Sequence, residues 1–322
     1  MNPTTEATPW MPLRIAHATN VAEGIRSFEL VHAEGIELPA FTPGSHVRLT
    51  VPNGEVRKYS LCNDPAERHR YVVAVKRDAT GRGGSMSLVD EAREGDVLQV
   101  GPPENAFEMT QRARRYVFIA GGIGITPILS MIHSLRERTE VPWTLYYLTR
   151  SEAATAFIDE LVQVDAPGKV RIHHDHGDPA NALDLWAVLE KPADAHIYCC
   201  GPRALMESVR DMTGHWIPGR VHFESFNEGG GVGPDDRPFT VELARSGLRL
   251  KVPVGRSILQ VVREAGCSLP ASCESGTCGT CRTRLLAGEA DHRDMVLMPE
   301  EKDTQIMPCV SRARSAELVL DL

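Results

Sequence analysis

The sequence lacks a long apolar run, an excess of basic residues and a signal peptide. No stretch approaches the run of about 18 apolar residues that a membrane-spanning helix needs, so we expect no transmembrane segment. The formal net charge of −8 gives no basic patch, which disfavours nucleic acid as a partner. Residues 1–10 contain neither a basic region nor an apolar core, and the sequence therefore predicts a cytoplasmic protein.

The 322 residues are enough for two or three domains. A content of 42% hydrophobic and 24% charged residues is ordinary for a soluble globular protein. The distribution of cysteine is unusual, because three of the eight cysteines stand within one short segment, Pro270–Cys281. That segment carries the strongest chemical signal in the chain.

The cysteine-rich segment has the plant-type [2Fe–2S] pattern. Cys273, Cys278 and Cys281 have Cys-x4-Cys-x2-Cys spacing, and Cys309 follows far downstream. In this pattern one tight loop supplies three thiolates and a later segment supplies the fourth. Gly276 allows such a tight loop, because glycine adopts positive φ without steric cost. Loop N–H groups can then point at sulfur and stabilise the charge of the reduced cluster.

Three other interpretations of these cysteines are weaker. Zinc sites usually have two Cys-x-x-Cys pairs or a mixture of Cys and His, and only one such pair is present. A disulfide framework is uncommon in a long chain without a signal peptide. Purely structural cysteines would not be packed so densely between glycines. The sequence therefore predicts an iron–sulfur cluster.

Residues 1–110 are predicted to form an antiparallel β-barrel. Leu13–Ala16, Ile25–Val31 and His46–Val51 alternate apolar and polar residues, and Tyr71–Lys76 is a further predicted strand. Regular short strands with turns between them are typical of a barrel.

Two segments of the predicted barrel indicate a ligand. Arg57 and Tyr59 are two residues apart in a strand, so they share a face and can reach one flat, charged ligand. The segment Gly81–Ser87 precedes a helical pattern, and its backbone N–H groups together with Arg82 and Ser85 suit a phosphate. An ordinary amphipathic strand and a hairpin tip are the alternatives.

Residues 111–226 are predicted to form a parallel α/β domain. The buried strand Arg115–Ala120 runs into Gly121–Met131, which is close to the dinucleotide fingerprint but has Pro127 where a third glycine is usual. Pro127 is expected at the first helical position. Strands alternate with helices in the rest of this region, which favours a parallel sheet with ligands at the carboxyl ends of its strands.

Two other strand ends in this region are candidate nucleotide contacts. Arg150 and Ser151 follow the strand Trp143–Leu148, where a dinucleotide ribose usually lies. Cys200 ends the strand His196–Cys200, and Gly201 and Pro202 follow it. The cluster His173–His176 suggests a metal site, but without a third ligand at a known spacing we favour surface histidines.

Residues 227–236 are predicted to be a flexible glycine-rich linker, and residues 237–322 are predicted to carry the cluster. A hairpin, a helix capped by Ser257, the cysteine loop and a further strand follow one another in this last region. That order is the order of a plant-type ferredoxin, a β-grasp domain.

The motifs resemble a known superfamily. Arg57-x-Tyr59-Ser60 with a glycine- and serine-rich phosphate loop resembles the flavin barrel of the ferredoxin–NADP reductase superfamily, although Lys58 replaces the usual Thr. A flavin barrel, a dinucleotide domain and a C-terminal ferredoxin, in this order, resemble the phthalate dioxygenase reductase family over essentially the whole chain. Benzoate-type reductases place the ferredoxin first and carry FAD.

The resemblance implies FMN, NADH and one [2Fe–2S] cluster as cofactors. NADH would give a hydride to the flavin, and the cluster would pass single electrons to a Rieske-type oxygenase; the chain is expected to be a monomer. Hydride transfer requires no acid or base from the protein, so we expect no catalytic residue in that sense. A reductase of the vanillate demethylase type and a redox sensor without turnover are the alternatives.

The resemblance also implies which residues bind each cofactor. The expected flavin contacts are Arg57, Lys58, Tyr59, Ser60, Ala74, Val75, Lys76, Arg82, Gly83, Gly84, Ser85 and a stacking Phe226. The expected NADH contacts are Gly121, Gly122, Gly124, Ile125, Thr126, Pro127, Arg150, Cys200, Gly201 and Pro202. The expected cluster ligands are Cys273, Cys278, Cys281 and Cys309.

Overall fold

The computed structural model describes residues 9–136, 140–164, 169–217, 219–226, 233 and 235–322. The chain divides into two compact units, Met1–His222 and Phe223–Leu322. Within the described ranges, none of the helices has both the length and the apolar character needed to cross a membrane.

The first unit begins with a seven-stranded antiparallel sheet in the order β4-β3-β6-β1-β2-β5, with β7 paired to β3. Its strands are β1 (Met11–Ala22), β2 (Ile25–His32), β3 (Ser45–Thr50), β4 (Val56–Ser60), β5 (Tyr71–Lys76), β6 (Val97–Val100) and β7 (Glu104–Asn105). Helix α1 (Gly84–Glu91) lies between β5 and β6 in the chain. The predicted antiparallel barrel is confirmed.

The alternation of the barrel strands explains the core of the barrel. Leu13 and Ile15 of β1 and Val47 and Leu49 of β3 are fully buried, and each pair is two residues apart. Successive strand residues point to opposite faces, so these side chains all face inward.

The first unit continues with a five-stranded sheet in the order β10-β9-β8-β11-β12. Its strands are β8 (Tyr116–Gly121), β9 (Trp143–Thr149), β10 (Val170–His174), β11 (His196–Cys200) and β12 (Val221–Glu224). The helices between them are α2 (Ile125–Ser134), α3 (Ile158–Val164), α4 (Trp186–Leu189) and α5 (Arg203–Met212). The pairs β8–β9, β9–β10 and β8–β11 are parallel, which confirms the predicted α/β fold.

The strand order creates a switch point between β8 and β11. The chain runs outward from β8 to β9 and β10, and then returns to β11 on the other side of β8. In open parallel sheets the crevice outside the carboxyl ends of the strands at such a point is the place where ligands bind. Gly121 ends β8 and Cys200 ends β11, so both lie at this crevice.

The second unit contains a five-stranded sheet in the order β14-β13-β19-β15-β17 and a small β16–β18 pair. Its strands are β13 (Phe239–Leu243), β14 (Leu248–Val252), β15 (Thr283–Ala287), β16 (Ala290–Asp291), β17 (Gln305–Ile306), β18 (Arg312–Ala313) and β19 (Glu317–Leu320). Helix α6 (Ile258–Glu264) begins with the predicted Ser257 cap, whose hydroxyl accepts from the Gln260 N–H at 3.2 Å. The ferredoxin-like order of elements is confirmed.

The predicted domain boundaries at residues 110, 226 and 236 stay predictions. The barrel strands end at Asn105 and the α/β strands begin at Tyr116, which is compatible with a boundary between them. Most of the predicted linker, residues 227–232 and 234, lies outside the described residues.

Candidate functional site

Strands β4 and β5 are the two edges of the barrel sheet, and the seam between them is closed by backbone pairing at only one end. A single bridge joins Leu61 to Val73, and the Cys62 N–H donates to the Val72 carbonyl at 2.9 Å. Among the described residues, no strand pairing joins β4 to the C-terminal half of β5, Ala74–Lys76. Unpaired strand edges offer backbone N–H and C=O groups to a partner. A planar ring with donors and acceptors along its edge, such as a flavin, fits this seam.

The Arg57 side chain and the start of α1 form an anion cradle beside the seam. A Cβ atom on Gly84 would lie 2.7 Å from Arg57 Nε and 3.2 Å from Arg57 Cζ, so the guanidinium packs directly on this backbone. Gly83 has a φ of 87° and gives α1 no side-chain cap, which leaves the first N–H groups of the helix for a ligand. A helix N-terminus with an adjacent arginine suits a phosphate.

The strand register separates Lys58 from Arg57 and Tyr59. Arg57 and Tyr59 pair with Leu49 and Val47, whose side chains face the barrel core. Lys58 lies on the opposite face, where its charge contributes, after burial, to lowering the pKa of His46 to about 4. A flavin contact of Arg57 and Tyr59 through one face is thus geometrically consistent, and the contact of Lys58 stays a prediction.

The remaining predicted phosphate residues lie at the same end of the barrel. The Ser85 hydroxyl accepts from the Asp78 N–H at 3.2 Å, which joins the loop after β5 to the start of α1. Arg82 immediately precedes Gly83 and α1. The structure therefore brings Arg57 together with the loop Arg82–Ser85, which are far apart in the sequence.

The glycine-rich loop after β8 packs closely against the end of β11. A Cβ atom on Gly124 would lie 2.2 Å from the Cys200 carbonyl oxygen, and one on Gly121 would lie 2.5 Å from Pro202 Cδ. A Cβ atom on Gly201 would lie 2.9 Å from Gly121 Cα. These glycines are thus required by the approach of two chain segments at the switch point, as well as by any ligand there.

Gly122 differs from its neighbours, because its φ is 53° and a Cβ atom there would meet nothing within 4 Å. Helix α2 starts at Ile125, so Pro127 is its third residue and not the predicted first one. Proline is still tolerated there, since the first-turn N–H groups lack helical partners. The Thr126 hydroxyl donates to the Ile123 carbonyl at 3.1 Å and fixes this turn. The helix start faces the crevice and suits a pyrophosphate.

The ends of β9 and β10 are joined by side-chain hydrogen bonds. Thr149 Oγ1 lies 2.8 Å from His174 Nδ1 and 2.7 Å from Thr155 Oγ1. Arg150, which is exposed, follows directly at the end of β9. The structure thus gives His174 a partner at the edge where the ribose was predicted, and Arg150 can reach a ligand there.

The four predicted cluster ligands converge in the second unit. Cys281 and Cys309 are buried, and their Sγ atoms are 3.2 Å apart. Cys273 is half-buried, and its pKa is lowered to about 4, mainly by the Cys278 side chain. The sulfurs therefore form two pairs, Cys273 with Cys278 and Cys281 with Cys309. Two pairs suit a two-iron cluster, whereas structural zinc requires four ligands around one point.

Backbone groups of the cluster loop point at sulfur, as the sequence predicted. The N–H groups of Ser275 and Thr277 donate to Cys273 Sγ at 3.5 Å and 3.4 Å. Between them Gly276 has a φ of +75°, and a Cβ atom there would lie 2.6 Å from Val310 Cγ2. Hydrogen bonds to sulfur favour the thiolate and tune the cluster potential.

Asp294 supports this loop and was missed by the sequence reasoning. The Met295 N–H donates to the Gly276 carbonyl at 2.9 Å, while Asp294 Oδ2 accepts from Leu297 N–H at 2.8 Å. Burial would raise the pKa of Asp294, but the nearby His292 side chain and the backbone N–H groups of Val296 and Leu297 outweigh it and lower the pKa. Only a buried position distinguishes Asp294 from the other carboxylates, and the sequence gives no signal for that.

Phe226 lies two residues beyond the end of β12, in the second unit, and is 44% exposed. An exposed aromatic ring is free to stack on a ligand. Its predicted contact with the flavin stays a prediction.

Comparison with known proteins agrees with this site. Residues 118–211 match the oxidoreductase NAD-binding domain family, and residues 241–314 match the 2Fe-2S iron-sulfur cluster binding domain family. The phthalate 4,5-dioxygenase oxygenase reductase subunit of Pseudomonas putida is 56% identical over 311 residues, which cover 96% of each chain. A vanillate O-demethylase oxidoreductase of Pseudomonas sp. strain HR199 is 41% identical over 307 residues, covering 94% of this chain and 96% of that protein.

The fold is also that of a solved relative. A phthalate dioxygenase reductase structure, described as modular for electron transfer from pyridine nucleotides to [2Fe–2S], has a TM-score of 0.75 and 54% identity. The match covers 97% of this chain and 98% of that one.

Fold and site together define a flavin- and nicotinamide-dependent iron–sulfur oxidoreductase. The chain belongs to the phthalate dioxygenase reductase family. The cofactor prediction of FMN, NADH and one [2Fe–2S] cluster is thereby confirmed. The identities also favour the phthalate type over the vanillate type, as predicted.

Proposed function

We propose that this protein is the reductase of a phthalate dioxygenase system and passes electrons from NADH to a Rieske-type oxygenase. One observation carries the proposal: a single chain combines a flavin seam beside a nucleotide crevice with four converging cysteines. The flavin seam and the nucleotide crevice suit a two-electron donor, and the four cysteines suit a one-electron carrier. Such a combination converts paired electrons into single electrons for an oxygenase.

The residues of the first unit would bind and orient the two organic cofactors. Arg57 and the start of α1 would hold the flavin phosphate, and the backbone of Ala74–Lys76 would bond the ring edge. The loop Gly121–Gly124 would hold the pyrophosphate at the start of α2. FMN, when bound, supplies acceptance of a hydride and release of single electrons. Positioning of the two rings is the contribution of the protein to this step.

The residues of the second unit would hold the cluster and shield it from water. Buried Cys281 and Cys309 form the inner pair, and exposed Cys278 is the ligand nearest to solvent. An electron would therefore leave toward a partner most readily at the Cys278 side.

The partner assignment has a direct test. We would measure NADH-driven phthalate turnover with this protein and a purified phthalate oxygenase component. Terephthalate and vanillate, each with its own oxygenase, serve as controls. Coupled product formation with phthalate alone is expected. Faster turnover in the vanillate system would favour that second type of reductase.

The redox-sensor alternative requires a separate measurement. A reductase should support sustained NADH-dependent reduction of cytochrome c, whereas a sensor should stop after one turnover. We expect many turnovers per molecule of protein. We further propose that the protein acts as a monomer in the cytoplasm, and sedimentation analysis would test the oligomeric state.

A further inference from the structure

Phe157 has a strained backbone at the start of α3. Its φ is 62°, in the left-handed region that bulky residues rarely adopt. Its carbonyl accepts from the Leu161 N–H at 2.9 Å and so begins the helix. Strain of this kind persists only where surrounding contacts hold it.

The side chain of Phe157 connects the barrel to the nucleotide loop. It packs against an apolar cluster that contains Ile25 and Ala74 of the barrel and Ala156 of its own loop. Ile123, from the glycine-rich loop after β8, packs against the same cluster. Ala74 belongs to the part of β5 that lines the open seam. One aromatic side chain thus contributes to the contact between the flavin edge and the nucleotide loop.

The loop that carries Phe157 is held from both sides. The Glu23 N–H, in the turn between β1 and β2, donates to the Ala153 carbonyl at 2.7 Å. On the other side the Tyr147 hydroxyl of β9 accepts from the Ala156 N–H at 3.2 Å. These bonds attach the loop to the barrel and to the sheet, and they leave the ring of Phe157 between the two.

Phe157 also lines a cavity of ≈ 250 Å³. Its walls include Cys62 and Val72 from the barrel and Glu160 from α3. The ring is held by apolar packing, because it also packs against the core of the parallel sheet, which includes Tyr147 and Leu161.

We infer that Phe157 is a positioning residue for hydride transfer, which sets the spacing between the flavin seam and the nucleotide loop. The inference rests on the proposed function. Hydride transfer requires the reacting atoms within about 3–3.5 Å, and a displacement of about 1 Å can slow a reaction roughly 100-fold. Removal of the Phe157 ring would let the flavin seam and the nucleotide loop shift relative to each other by about 1 Å.

The test uses the full-length protein with its flavin and cluster. Anaerobic stopped-flow mixing with NADH measures the limiting rate of flavin reduction and the apparent Kd for NADH in Phe157→Ala. We expect the limiting rate to fall by about tenfold or more, while the Kd changes by less than about threefold. The long-wavelength absorbance of the complex between NADH and flavin should weaken, and the isotope effect with deuterated NADH should increase.

Three further variants separate positioning from folding. Phe157→Leu should restore most of the rate, because it keeps an apolar side chain at this position. Phe157→Gly removes the backbone strain, so it should be more stable than Phe157→Ala yet equally slow. Val162→Ala is the matched control, because Val162 on α3 is 68% exposed and should leave all parameters unchanged.

Two outcomes have opposite meanings. A limiting rate in Phe157→Ala and Phe157→Gly within twofold of wild type, with normal flavin content, would overturn the inference and leave the proposed function intact. Wild-type flavin that NADH does not reduce would instead contradict the proposed function itself.

Discussion

The cluster loop and the nucleotide loop both depend on glycine, but for different reasons. In the cluster loop Gly276 and Gly279 have φ values of +75° and +80°, so their conformation itself requires glycine. In the nucleotide loop Gly121 and Gly124 have no such φ, and the close approach of the Cys200–Pro202 segment requires them. The first requirement belongs to a short segment, and the second arises from strands about 80 residues apart in the chain.

This difference explains why the two sites leave different traces in the sequence. A [2Fe–2S] cluster needs four thiolates, and three of the predicted ligands lie within nine consecutive residues with fixed spacing. A flavin or nucleotide site consists of backbone edges and small residues from several strands. Its sequence signal is therefore weak until the strands are placed side by side.

The largest predicted effect is the loss of the cluster in Cys281→Ala. The buried pair Cys281 and Cys309 cannot ligate an iron with one thiolate missing, so cytochrome c reduction should fall by more than about 100-fold. NADH–ferricyanide activity and flavin content should be retained, because they depend on the first unit. Visible and electron paramagnetic resonance spectra would report the cluster. Loss of flavin together with the cluster would contradict the independence of the two sites.

The second prediction compares Gly124 and Gly122, two glycines of the nucleotide loop. Gly124→Ala should destabilise the first unit by more than about 3 kcal/mol, because its Cβ would lie 2.2 Å from a backbone oxygen. Gly122→Ala has open space and should cost only about 1–2 kcal/mol, from its positive φ. Urea unfolding followed by flavin fluorescence measures both. Equal destabilisation by the two substitutions would mean that the contact between Gly124 and Cys200 does not determine the stability of this loop.

The third prediction concerns the buried carboxylate below the cluster loop. Asp294→Asn should lower the free energy of unfolding of the second unit by about 2 kcal/mol, because it removes charged hydrogen bonds. The folded-state pKa of Asp294 is lowered, so its contribution is complete above the ordinary value of 3.8 and is lost only as pH falls through the folded value.

The difference in stability between wild type and Asp294→Asn should therefore be constant from about pH 8 to about pH 5. Urea unfolding monitored by cluster absorbance would measure it at each pH. A difference that shrinks between those values would mean that burial dominates and raises the pKa instead. Asp303→Asn, on an exposed residue, is the matched control.

The smallest predicted effect distinguishes two neighbours in β4. Arg57→Gln should weaken FMN binding by about tenfold or more, because it removes the cation beside the start of α1. Lys58→Thr should change the Kd for FMN by less than about threefold, because Lys58 lies on the other face of the strand. Titration of the flavin-free protein with FMN measures both. A larger effect at Lys58 would show that the flavin also contacts that face.

Local patterns predicted most of the fold. Alternation in β2 and β3, the Ser257 cap and the strand–glycine–helix segment at Gly121 all agree with the structure, because each depends on neighbours within a few residues. The position of Pro127 was wrong by two residues, since α2 begins earlier than proline preferences suggest. The roles of Phe157 and Asp294 were absent from the prediction. Nothing local marks either residue, because their importance arises from contacts with distant segments.

The sequence by itself determined the chemistry of the cluster, the order of the three regions and the family. Cysteine spacing and glycine placement suffice for this, because thiolate ligands and tight turns act over a few consecutive residues. Only the tertiary structure decided which surfaces meet. Three features depend on how separate strands twist and pack. They are the seam between β4 and β5, the approach of Cys200 to Gly124 and the apolar packing around Phe157. Such contacts follow from the packing of the whole unit, and no short segment encodes them.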